Sequence, residues 1–86
     1  MLTFAPHVVV ETSGPGRLRR ITNVRQAAEA MAEWPDKARQ RRAYKVAVQA
    51  CHAALSGTGT ASKARRTFVA AAKEAAVFVR LSEPGR

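Results

Sequence analysis

Apolar and polar positions in this chain follow two periods. From Phe4 to Thr12 they alternate loosely, with Phe4, Pro6, Val8 and Val10 on one parity, the pattern of a half-buried strand. Pro6 stands near its beginning, where a missing backbone donor is tolerated. Ser13-Gly14-Pro15-Gly16 is a turn by composition. Arg17 to Thr22 reads as a second strand that closes a hairpin. Its apolar residues Leu18 and Ile21 have opposite parity, which predicts a bulge or an early exit from pairing at Ile21.

The period then becomes helical. Asn23 is a good N-cap, and Gln26 three residues later completes a capping-box-like pair. Val24, Ala27, Ala28 and Met31 share one helical face. Trp34-Pro35 ends the helix, because the residue before proline is pushed away from helical angles. Asp36 then caps the next helix, or the chain loops until about Arg39. The second helix carries Ala43, Val46, Ala47, Ala50, Cys51 and Ala54 as one apolar stripe. It ends at Ser56-Gly57, with Gly57 suited to the left-handed position. Thr60 or Ser62 caps a third helix, whose buried face is Ala61, Ala64, Phe68, Ala71, Ala72 and Ala75. From Val77 to Leu81 two readings stand side by side. One is a short closing strand added to the hairpin, and the other a continuation of the helix to Arg80. The expected fold class is α+β: an N-terminal β-hairpin, three helices, and on the first reading a C-terminal strand joining the sheet. Residues 1–86 make one domain, with an ordered core over about 4–81 and a frayed tail over 82–86.

Composition sharpens this picture. Apolar residues make up 47% of the chain but aromatic ones only 6%, so alanine and valine must build most of the core. That predicts a thin core with helices packed closely through small side chains. Charge is the louder signal. Fifteen Lys and Arg face six Asp and Glu, a formal net charge of +9, and eleven of the cations are arginine. Such an excess favours polyanions: nucleic acid, an anionic surface or an acidic protein patch. The one cysteine, Cys51, cannot form an internal disulfide. Val8–Val10 is far too short for the apolar core of a secretory signal, and Val46–Ser62 is too polar for a membrane span. A cytoplasmic protein is expected.

Candidate chemistry is sparse. Cys51 and His52 are adjacent on a helix, so their side chains point about 100° apart. Cys51 lies on the apolar stripe and reads as a buried structural thiol. Glu29 and Glu33, one turn apart, read as solvated, with Glu33 paired to Lys37 or nearby arginines. Neither zinc-finger spacing nor a calcium loop occurs, and no cofactor is implied. Ser56-Gly57-Thr58-Gly59-Thr60 leads into a helix start beside Lys63 and Arg65, where free backbone N–H groups would hold a phosphate. A plain C-cap followed by an N-cap explains the same residues.

The arginines are the serious candidates. Arg17, Arg19 and Arg20 crowd the second strand. Arg39, Arg41, Arg42 and Lys45 crowd the start of the second helix, and Lys63, Arg65 and Arg66 open the third. Cations in a first helical turn oppose the macrodipole by roughly 0.3–1 kcal/mol each. Two helices starting this way suggest a cost tolerated for another purpose. An arginine fork suits phosphate and carboxylate alike, but only Tyr44 sits among these cations as a stacking platform for bases. The reading that follows is a non-catalytic binding or regulatory module acting through its surface on an acidic protein. Its alternative is a nucleic-acid-binding accessory protein that uses the arginines non-specifically. An edge strand also leaves room for a homodimer.

Several of these residues carry a resemblance. Ile21, Ala27-Ala28, Trp34-Pro35, Ala47, Cys51, Ala54-Leu55, Gly57, Ala64-Arg65, Phe68, Ala71-Ala72 and Glu74-Ala75 resemble a family of short, uncharacterised alphaproteobacterial proteins catalogued as a domain of unknown function. The resemblance spans roughly Phe4 to Val79. Members of that family often carry tryptophan near position 4 and glycine between Trp-Pro and the second helix, whereas this chain has Phe4 and no glycine there. The resemblance implies the extent of the domain, and no activity, ligand or partner.

Overall fold

A computed structural model describes residues 2–11 and 16–82. Seven elements follow one another: β1 (Thr3–Glu11), β2 (Leu18–Asn23), α1 (Val24–Ala32), α2 (Asp36–Arg39), α3 (Arg42–Leu55), α4 (Ala61–Glu74) and β3 (Phe78–Ser82). The strands form one antiparallel sheet in the order β2-β1-β3, so the first strand is central and the last closes the sheet. The fold is α+β, with the hairpin first, the helices next and the C-terminal strand joining the sheet. Most of the expected turn, residues 12–15, and the tail, 83–86, lie outside the described residues.

Pairing in the hairpin places the irregularity expected at Ile21 immediately beyond it. Ile21 sits opposite Val8 and is fully buried, and pairing runs on to Asn23. The irregularity falls on β1, between Thr3 and Val8. Leu18 is the apolar residue left out: it faces Glu11 and is 52% exposed. The parity conflict is thus resolved by pointing one side chain at each face of the sheet.

Asn23 caps α1 by accepting from the Gln26 amide at 2.8 Å. The Gln26 side chain reaches back to accept from both the amide and the hydroxyl of Thr22, a capping box shifted by one residue. Asp36 opens the one-turn helix α2 rather than capping it, and its carboxylate pairs with Arg39. Alanines give α3 and α4 a thin seam: Ala47, Ala50, Ala54, Ala64, Ala71 and Ala72 are all buried. Val46, expected on the stripe of α3, is exposed instead, because helices that approach through alanine leave a longer side chain at the margin outside. None of the described helices is long and apolar enough to cross a membrane.

Helices α3 and α4 end in the same hydrogen-bonded turn. After α3, Thr58 N–H donates to Ala53 O and Gly57 N–H to Ala54 O, with Gly57 at φ +85°. After α4, Val77 N–H donates to Ala72 O and Ala76 N–H to Lys73 O, with Ala76 at φ +61°. Both are Schellman motifs, but only the first has the glycine that left-handed backbone favours. Ala76→Gly should therefore raise stability by roughly 0.5–1 kcal/mol, read as an upward shift of the urea midpoint. An unchanged or lower midpoint would remove the strain assigned to Ala76.

Candidate anion-binding face

The sheet has one covered and one open face. Val8, Val10 and Ile21 share a core with residues of α1, α3 and α4, so the three long helices lie on that side. Val9 has the opposite parity and is not part of that core, yet it is only 4% exposed. Its partners in register are Arg20 on β2 and Arg80 on β3, which therefore share its face. Both arginines are exposed. Arginine side chains in such positions carry their guanidinium groups out into water on apolar stems. The two backbones are separated by two strand spacings, about 9–10 Å. His7, opposite Ser82, continues the same face along β1, and its Nδ1 is buried without a hydrogen-bond partner. Among the described sheet residues the carboxylate on this face is Glu11, whose Oε2 is engaged by the Gly16 amide at 3.4 Å.

The arginine groups read from the sequence do not merge. Arg17 is exposed at the foot of β2. Arg19 and Arg20 are split between the two faces, and Arg19 pairs with Glu29 of α1 at 3.5 Å. Glu29 and not Glu33 thus makes the described ion pair on α1, because the helix packs beside β2. Arg39 is held by Asp36, whose hydrogen bond and charge raise the guanidinium pKa above its ordinary value. Arg41 is the N-cap of α3 and makes no side-chain cap bond, and Arg42 and Lys45 follow in its exposed first turn. Arg42 lines a shallow groove with Thr67 and Glu74 of α4. Lys63, Arg65 and Arg66 open α4, with Arg65 half-buried. Because α3 and α4 form an antiparallel helical hairpin, their basic starts lie at opposite ends, about 20 Å apart for helices of this length.

Arg80 was not a candidate from the sequence. Its signal was present in the alternation of Val77, Val79 and Leu81 with Phe78 and Arg80. In the strand Arg80 pairs with Val9 and Leu81 with Val8, and a register shift at Val79 sets Phe78 opposite Val10 on the helix side.

The remaining candidates resolve locally. Thr58 and Gly59 both donate their amides to Ala53 O at 2.9 Å, and Thr60 Oγ1 accepts from the Lys63 amide at 3.1 Å. The amides of Ser56 to Gly59 are spent on ending α3 and that of Lys63 on the cap of α4, so a C-cap followed by an N-cap accounts for the sequence of this loop. Cys51 is fully buried, and burial pushes its thiol up to about 11. His52 is exposed on another side of α3. Tyr44 packs against Trp34, ring centroids 5.8 Å apart, so the aromatic residue among the cations is half-buried and occupied.

No curated protein and no solved structure matches the chain. A family model matches residues 7–79, from the middle of β1 to β3, and carries the description "Protein of unknown function (DUF982)". The match takes in β2 and α1 to α4 and ends at Val79, one residue before Arg80, and by it the chain belongs to that family.

Proposed function

We propose that the chain is a non-catalytic binding module that acts through the open face of its sheet on an acidic protein partner. The observation that carries this reading is the row Arg20–Val9–Arg80, where cations from two strands meet over an apolar residue that no helix covers. Carboxylates are recognised there by guanidinium forks. A cytoplasmic setting goes with the reading, and the buried free thiol of Cys51 suits it.

Nucleic-acid binding is the second reading, favoured by the net charge of +9. It is weakened by the separation of the helix-start clusters and by the occupied Tyr44 ring, which among the described residues leave no continuous basic track with a stacking platform.

Labelled poly-glutamate and labelled duplex DNA, titrated with the full chain at two salt concentrations, separate the two. Arg20→Glu with Arg80→Glu should weaken poly-glutamate binding by roughly tenfold or more, while Arg65→Glu with Arg66→Glu should change it little. Equal losses from both pairs, together with tighter and steeply salt-dependent DNA binding, would replace the acidic-partner reading with the nucleic-acid one.

A further inference from the structure

The order β2-β1-β3 leaves two sheet edges, and they are not alike. The β2 edge is partly closed, since the Thr22 amide and hydroxyl are both taken by Gln26 Oε1 at 2.8 and 2.9 Å, and the chain turns into α1 at Val24. Along β3 no described side chain hydrogen-bonds to the strand, and Val79 and Leu81 stand 36% and 44% exposed. An edge with free backbone groups and exposed β-formers is a template for a further strand.

Side-chain chemistry along β3 says what that strand would be. Arg80 lies on the open face, opposite Val9, while Leu81 lies opposite Val8 on the helix side. The Lys73 ammonium sits 5.1 Å from the centre of the Phe78 ring, adding a cation where β3 begins. From Arg80 onward, past the register shift at Val79, a strand paired with β3 would set alternate residues beside Arg80 and beside Leu81. Resting on the acidic-partner reading, we propose that the β3 edge takes an extended segment of that partner as a fourth strand, with acidic residues alternating with apolar ones. A second copy of this chain fits less well: it would bring another β3 with its own Arg80 and another +9 of charge to the same edge.

The test uses the full chain and acetylated, amidated octapeptides, titrated by calorimetry. One peptide alternates glutamate and valine, and a second has the same composition with the glutamates grouped at one end. A third is the alternating peptide with alternate backbone nitrogens methylated, which removes its ladder donors and leaves its charge. The alternating peptide should bind, and grouping or N-methylation should each weaken it by roughly tenfold or more. Arg80→Glu should weaken it by roughly tenfold, and Leu81→Thr should lower affinity without abolishing it. Equal binding of all three peptides would overturn the edge while leaving the acidic-partner reading intact. No binding of any of them at low salt would overturn both. A concentration-dependent dimer that the alternating peptide fails to dissociate would assign the edge to a second copy and overturn the proposal.

Discussion

Trp34→Ala should destabilise the chain by ~3–5 kcal/mol and leave much of it unfolded at physiological temperature. A domain of this size has only about 5 kcal/mol or slightly more to lose. The five aromatic residues are one Trp, one Tyr and three Phe, and four of them are strung together. Tyr44 of α3 lies 5.8 Å from Trp34, Trp34 lies 5.9 Å from Phe68 of α4, and Phe68 lies 6.0 Å from Phe4 of β1. Trp34, only 6% exposed, is the link between the helical hairpin and the segment joining α1 to α2. Alanine is the commonest residue of the core that holds these rings and has no side chain long enough to fill the space left. Trp34→Phe should cost much less, about 1–2 kcal/mol, because the indole Nε1–H is buried without a partner and its removal breaks no hydrogen bond. Urea unfolding followed by far-ultraviolet circular dichroism reads both variants. A Trp34→Ala midpoint close to that of the unaltered chain would show the ring to be peripheral.

The parts of the fold that were legible in the sequence are those in which one residue type enforces one conformation. Asn23 with Gln26, Trp34-Pro35 and Gly57 set helix boundaries where they were expected. The turn from α4 into β3 was not readable in the same way, because Ala76 occupies the left-handed position that Gly57 occupies after α3. The two turns share a hydrogen-bond pattern and differ in the residue that would have announced it. The irregularity beside Ile21 was legible in place but not in strand. Local parity cannot say which strand absorbs an irregularity, and here β1 does. The candidate site suffered most, since it depends on pairing between distant segments. Arg20 was visible as a strand arginine and Arg80 was not, because their meeting across Val9 needs β3 to pair with β1. The helix-start clusters, each compact in the sequence and loud in composition, are set apart by the antiparallel course of α3 and α4.

In the folded chain Cys51 should react with a thiol reagent at neutral to mildly alkaline pH roughly a hundredfold more slowly than in urea. Its side chain is fully buried on the alanine seam, and that burial holds the thiol at a pKa of about 11 against an ordinary 9.0. The reagent attacks the thiolate, so each unit of upward shift removes about a factor of ten from the reactive form, and access must still wait for opening. The same displacement makes stability depend on pH in a direction that can be fixed. Below about pH 9 the thiol is protonated in the folded and the unfolded chain alike, and its contribution is whole. As pH climbs from about 9 to about 11 the unfolded chain releases the proton while the folded chain retains it, so ionisation favours unfolding and the contribution is lost. Any other ionisation in that window is common to the unaltered chain and Cys51→Ala, so their difference isolates the thiol. The stability difference between the unaltered chain and Cys51→Ala should therefore fall steadily through that window and be flat below it. Rapid labelling of the folded chain, with a difference that does not change with pH, would mean that the thiol is ionised and reachable. Cys51 would then have to be considered again as a nucleophile beside the exposed His52, and a purely binding role for the chain would lose its chemical basis.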